Sequence, residues 1–302
     1  MLVQKIQRAI QLLKKQGLVL TAEMIYRWVF PDRLRYLSSC EHLFKLKDGL
    51  EIGGPSGIFS GKGCIPVYSL ARNIDNCNFG PCTLWESGIR EGPFFCFNKR
   101  MAPGQQYIAE ACDLRFAPDN TYDFVISSHC IEHLANPLRS IREWIRVTKN
   151  GGILALVIPH KDKTCDHDRP VTSLDHLIHD FQDNVDETDM THSAEILELH
   201  DRGGDSRDAD KAALHQRVFS NHECRWMHHH VFDTQASIEM VNYMKLQILN
   251  VELFDPFHIV ILARKDMDPS VVNNERYLKN PAGWVWYDPP LFKWIRHKRI
   301  SK

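Results

Sequence analysis

"LEIGGPSGIF", residues 50–59, is an apolar–acidic–apolar start that runs directly into Gly53, Gly54 and Gly57. A short strand followed by glycines leaves backbone N–H groups bare and lets a ligand approach the main chain closely. What lies downstream decides the fold. "RNIDNCNF", "QYIAEACDL", "YDFVISSH" and "GGILALVIPH" are further β-like runs, each followed by a turn signal or an amphipathic stretch. That alternation predicts a doubly wound, mostly parallel α/β sheet with crossover helices.

The last two runs show the pattern most clearly. "PLRSIREWIRVTKNGG" places Leu138, Ile141 and Ile145 on one helical face and closes at Gly151, and "ILALVIP" reads as a strand buried on both sides. Residues 1–47 carry apolar positions at helical spacing (Val3, Ile6, Ile10, Leu13), and Pro31 breaks a second helical stretch, so an N-terminal helical appendage is expected. The core is expected over residues 48–266. Within it, residues 160–230 are polar and rich in His and Asp, include "DRGGDSRDAD", and read as a surface insertion that covers the substrate. The α/β pattern resumes with "DTQASIEMVNYM", a helix capped by Asp233 or Thr234, and with the strands "LQILNVELF" and "HIVILARK". Residues 267–302 form a tail with Trp284, Trp286 and Trp294.

The 302-residue chain is long enough to bury a sizeable core, and 37 basic against 38 acidic residues give nucleic acid no electrostatic footprint. Nine cysteines without a CxxC pair suggest neither a disulfide framework nor a zinc ribbon, which suits a reducing cytoplasm. "MLVQKIQRAIQLLKKQG" lacks the long apolar core and small-residue cleavage site of a secretory signal, and no run is long enough to span a bilayer. Basic residues at both ends ("KWIRHKRISK" at the second) would suit a peripheral contact with anionic lipid at the inner face of the membrane; a solvated helix face is the plainer reading. Nothing in the sequence sets the oligomeric state.

The identity of the loop's ligand turns on two residues. A dinucleotide fingerprint needs G-x-G-x-x-G, so that a pyrophosphate sits on a helix N-terminus. Here Pro55 stands at the middle glycine and Glu51 adds negative charge beside the loop. Phosphates are poorly served, whereas a cationic sulfonium gains from a nearby carboxylate.

At these residues the chain resembles the class I S-adenosylmethionine-dependent methyltransferases, whose first motif is acidic-x-Gly-x-Gly-x-Gly. Glu51, Gly53, Pro55 and Gly57 stand in it, with Pro55 departing from the pattern. "EACDLRFAPDNTYDFVISSHCIEHLANP" and then "EWIRVTKNGGILALVIP" resemble the later motifs in order and spacing, over about residues 49–265 in all. The resemblance implies a seven-stranded sheet and S-adenosylmethionine as cofactor. It also implies an acidic ribose ligand, best matched by Asp75 with Glu86 in reserve, and adenine contacts from Glu110, Ala111 and Cys112 with Asp113 close enough to share. Ser127, Ser128 and His129 would close the fourth strand at the ligand edge; Glu132 and His133 read as caps of the following helix.

For a hydroxyl acceptor a base is needed. His160, where the fifth strand ends, is the first candidate and His129 the second. A divalent ion on His160, Asp162, Asp166, His167 and Asp168 is less favoured, because their spacing fits no fixed ligand pattern, and of the histidines in "MHHH" (227–230) at most two could share an ion. The chain is similar to type 11 bacterial methyltransferases found among genes for surface-polysaccharide synthesis, which implies a small-molecule or glycan acceptor. The rivals are a nicotinamide-dependent oxidoreductase on a similar sheet and a non-catalytic scaffold of the same fold. No Tyr-x-x-x-Lys pattern supports the first.

Overall fold

A computed structural model describes residues 33–83, 85–201, 211–279 and 286–287. The appendage expected over residues 1–47 lies outside the described residues up to residue 32, as do residues 202–210 of the insertion and nearly all of the tail after residue 279.

Among the described residues nine strands form one sheet: β1 (Asp48–Ile52), β2 (Asn73–Asn78), β3 (Gly92–Phe95), β4 (Gly104–Ile108), β5 (Tyr122–Ser128), β6 (Thr148–Pro159), β7 (Leu246–Phe254), β8 (His258–Lys265) and β9 (Trp286–Tyr287). Their spatial order is β3-β4-β2-β1-β5-β6-β8-β7-β9. β4, β2, β1, β5 and β6 run parallel, and β8 is antiparallel to both β6 and β7. The expected mostly parallel sheet is present, with two strands beyond the expected seven. β3 pairs antiparallel with β4 at one edge, and β9 pairs parallel with β7 at the other.

Period-two alternation splits the strand side chains between two cores, one on each sheet face. Leu50, Val125, Leu154, Leu156 and Ile261 face the helix α3 (Pro137–Val147), whose Leu138, Ile141 and Trp144 are fully buried. Phe124, Ile126, Ala155, Val157 and Val260 face Phe44, Phe59, Ile65 and Val67 on the other side. Ahead of α3 in the chain come two short helices, α1 (Leu37–Cys40) and α2 (Val67–Leu70). Asn136 caps α3 by accepting from Arg139 N at 3.1 Å, and Pro137 takes the first turn, where no N–H is needed. The helix ends at Val147 rather than Gly151, because Thr148 already joins β6 beside Tyr122.

The insertion is more ordered than its polar composition predicts. It contains α4 (Leu174–Gln182), α5 (Ser193–Leu199), α6 (Lys211–Phe219) and α7 (Asn221–Cys224). Ile196, Leu214, Val218, Trp226 and Met227 form a small core of their own. α8 (Thr234–Tyr243) then begins as expected, with Asp233 accepting from Ala236 N at 2.7 Å, and α9 (Glu275–Leu278) follows the sheet.

Candidate functional site

The glycine loop leaves β1 at Gly53, whose φ of +81° is a left-handed conformation that a side chain would strain. Gly54 is clamped on both sides. Its N–H donates to Asn76 Oδ1 at 3.0 Å, and its carbonyl accepts from Asn76 Nδ2 and Asn78 Nδ2, each at 3.1 Å. Beneath the loop, the fully buried Glu51 accepts from Ser56 N at 3.0 Å and from the Tyr68 hydroxyl at 2.6 Å. Burial pushes its carboxyl up to about 7, with these hydrogen bonds opposing. Glu51 does not line the cleft above, so its part is to hold the loop from below rather than to meet a cation face to face. Gly57 opens onto empty space, and a 3-10 turn (Gly57–Phe59) follows.

A cleft of about 1370 Å³ covers the carboxyl ends of the parallel strands. Gly53, Gly54, Pro55 and Gly57 from the loop line it together with Glu110, Ala111, Ser128 and His129. Four other expected residues do not reach it. Asp75 sits three positions before the end of β2, and its carboxylate accepts from Tyr122 OH (3.0 Å), Gln105 N (2.9 Å) and Asn73 Nδ2 (3.0 Å). The strand's last residue is Asn78, and the reserve acid Glu86 lines the cleft beside Thr83. Asp113 turns outward to Arg115, and Cys112 does not line the cleft. His160 also lies outside: its N–H donates to Phe257 O at 2.7 Å, and its Nδ1 accepts from Asp162 N at 3.3 Å, capping the turn Lys161–Lys163.

Histidines missed as a group, and one carboxylate, fill the far end of the cleft. His129 has φ +52°, rare for a residue with a side chain. Its Nε2 lies 2.8 Å from His258 Nδ1 and its Nδ1 lies 3.4 Å from Glu132 Oε1. His258 arrives because β8 is antiparallel, which brings the start of that strand beside Pro159 at the ligand edge. Burial, and then His129, push His258 down to about 3. Glu132, read from sequence as a cap, is buried with neither carboxylate oxygen hydrogen-bonded. Burial opposes its charge, yet His129 and His133 hold its carboxyl below the ordinary value. Burial, joined by His228, drives His133 down to about 4. From the insertion, Arg169 is buried between Asp166 (2.8 Å) and Glu195 (2.7 Å), and Arg225 reaches across to Glu110 at 2.6 Å and Glu187 at 2.5 Å.

The less favoured ion site is not assembled. His160 and Asp162 stay together, but Asp166 turns to Arg169 and His228, and His167 to Thr164 O and Asp168.

Residues 96–156 match the family model of the methyltransferase domain. Ajmaline N-methyltransferase of Rauvolfia serpentina is 41% identical over 56 residues, 18% of this chain, and the match spans only 19% of the length of that relative. Among solved structures, a SAM-dependent methyltransferase from Aquifex aeolicus (11% identity, 76% of this chain and 88% of that one, TM-score 0.42) is similar. So is one from Methanosarcina mazei (17%, 78% and 100%, TM-score 0.42). At such identities and scores the fold reading rests on the strand order itself.

Proposed function

We propose that this chain, which carries the methyltransferase-domain match at residues 96–156, is an S-adenosylmethionine-dependent methyltransferase acting on a hydroxyl of a sugar or glycan-related acceptor. One observation carries the reading: the glycine loop, Glu110–Ala111 and Ser128–His129, far apart in sequence, line one cleft. The residues present suit the cofactor. Bare N–H groups and the open side of Gly57 leave room for the donor's amino-acid part, Asn78 and Glu86 offer acceptors or donors for ribose hydroxyls, and Phe79 and Ala111 provide apolar walls for a base. At about 1370 Å³ the cleft exceeds the roughly 300–1,000 Å³ of a single small-molecule site. Donor and acceptor fit together.

The bound donor supplies an electrophilic methyl carbon on sulfur. In-line transfer of that methyl group to an acceptor oxygen would require the oxygen to be held opposite the carbon–sulfur bond, so orientation is the first need of the site. His129 Nε2–H donates to Nδ1 of neutral His258, which fixes the ring and leaves His129 Nδ1 to take the hydroxyl proton, and Glu132, 3.4 Å from Nδ1, stabilises the resulting imidazolium. His133, His228 and Lys163 add polar groups suited to a hydroxyl-rich acceptor.

The absence of a helix after Gly57 counts against a pyrophosphate ligand and so against the nicotinamide reading. Calorimetric titration with S-adenosylmethionine, its demethylated product and NADH tests the cofactor: saturable binding of the first two alone is expected, and NADH binding overturns the reading. Release of demethylated product on addition of sugar nucleotides or oligosaccharides tests the acceptor. Turnover only with amines or with lipids would refute the glycan assignment.

A further inference from the structure

We propose that the insertion holds a structural transition-metal ion, of which Zn²⁺ is the best match, on His176, His192, His230 and Asp180. The site is separate from the cleft: none of the four lines it. Nor does it share a residue with the ion site weighed from sequence around His160.

His176 and Asp180 stand one turn apart on α4 and so share a face, His192 precedes α5, and His230 leads into α8. One ligand atom from each of the three histidines lies within 4.8 Å of the others. His176 Nε2 is 3.2 Å from His192 Nε2 and 3.3 Å from Asp180 Oδ2, and the His230 ring comes within 3.7 Å of Asp180 Oδ2. Zn–N bonds of about 2.0–2.1 Å in a tetrahedron put neighbouring ligand atoms roughly 3.3–3.4 Å apart. Both separations from His176 Nε2 are thus those of ligands around one small ion, and His230 offers a ligand atom within 4.8 Å of those of His176 and His192.

The polar atoms support the same conclusion. Asp180 Oδ2 and His230 Nδ1 are buried and make no hydrogen bond, although His230 is only 1% exposed. Between histidines, a 3.2 Å contact can satisfy one pair of nitrogens, but it leaves these two atoms unserved. His230 Nε2, 3.2 Å from Ala135 O, donates there, which fixes the tautomer whose Nδ1 has a free lone pair. A backbone carbonyl behind a ligating histidine is the usual outer-shell partner. Three imidazoles and one carboxylate favour zinc over calcium or magnesium, which take oxygen sets. Four protein ligands leave no open position, which argues for a structural role. Such an ion would staple α4, the start of α5 and the segment leading into α8 together beside Ala135.

The full-length protein, dialysed against chelator and then against Zn²⁺ or Co²⁺ alone, tests this without reference to catalysis. One equivalent of tightly held metal is expected by elemental analysis, with the intense visible bands of tetrahedral Co²⁺. Chelation should lower the melting temperature by on the order of 5 °C or more. His192→Gln and His176→Gln should each cut metal content at least tenfold at the same free-ion concentration. Should either variant fold poorly, the chelator-induced shift in the parent protein still decides. Failure of the parent to take up metal overturns the proposal. So does weak octahedral Co²⁺ absorption, or metal that both variants retain and only His133→Gln loses, which would place the ion at the cleft cluster of Glu132, His133 and His228.

Discussion

Replacing Glu51 by Gln should make the protein's stability less dependent on pH, and the size of the change follows from one carboxyl. In the folded chain burial raises Glu51 from its ordinary 4.5 to about 7. Between these two values the folded state holds a proton that the unfolded chain has released, so stability falls as pH rises through that window. A difference of this size corresponds to about 3 kcal/mol, absent below pH 4.5 and fully expressed above pH 7. Gln cannot ionise. Its oxygen can still accept from Ser56 N, whereas the Tyr68 hydroxyl loses its acceptor and gains an amide donor, a roughly 1 kcal/mol loss that does not vary with pH. Urea unfolding of both proteins at pH 5, 6, 7 and 8 separates the two effects, because all other titrating groups cancel in the difference. Relative to the parent, Glu51→Gln should gain about 2–3 kcal/mol between pH 5 and pH 8. A difference that stays constant across that range would mean that Glu51 is ionised and solvated as usual, and the account of a buried acid beneath the loop would fail.

Four further substitutions test the site. A Cβ at Gly54 would lie 2.2 Å from Glu51 Cδ, so Gly54→Ala must push the loop off Asn76; loss of about 2–3 kcal/mol should weaken S-adenosylmethionine binding by roughly 30- to 100-fold, and calorimetric affinity within threefold of the parent would contradict it. Asp75→Ala should cost roughly 2–3 kcal/mol of stability by stranding Tyr122 OH and Gln105 N while sparing donor affinity. Glu86→Gln should do the reverse, and a crossed result would return the ribose to Asp75. His129→Gln should lower kcat by about 10²–10⁴ with donor affinity retained, as steady-state kinetics on a turning-over acceptor would show; an unchanged kcat would move the proton to another group.

The sheet was legible because strand burial has a strict period. Val125 and Ile126, or Leu154 and Ala155, face opposite cores, and apolar runs such as "ILALVIP" can only be strands covered on both sides. The glycine loop was legible too, since the positive φ at Gly53 and the crowding at Gly54 demand glycine from the backbone alone. The function of Glu51 was not. Its position one residue after Leu50 says that it faces the other side of the sheet, but only the arrival of Tyr68 from α2 shows that this side is dry. Asp75 fails for a related reason: distance along the chain from Gly57 measures neither where β2 ends nor that Tyr122 and Gln105 N take the carboxylate.

The histidines show what sequence distance conceals most. His160 and His129 are both adjacent to strand ends, yet only the one with a left-handed backbone turns into the cleft. Its neighbour His258 is 129 residues away, and nothing in "DPFHIV" marks it. It becomes a neighbour solely because β8 enters the sheet antiparallel, opposing Pro159, so that the beginning of this strand meets the ends of the others. The insertion follows the same logic in reverse. Its His and Asp content reads as solvated loop, but His176 and Asp180 carry helical spacing that was present all along, and the apolar pair Leu214 and Val218 repeats it. A small core of five residues leaves such a segment short of apolar burial. Buried histidine and carboxylate groups are the wrong material for enlarging that core unless something binds them together. The polar composition that suggested a surface loop is therefore, in the folded chain, the argument for a metal ion.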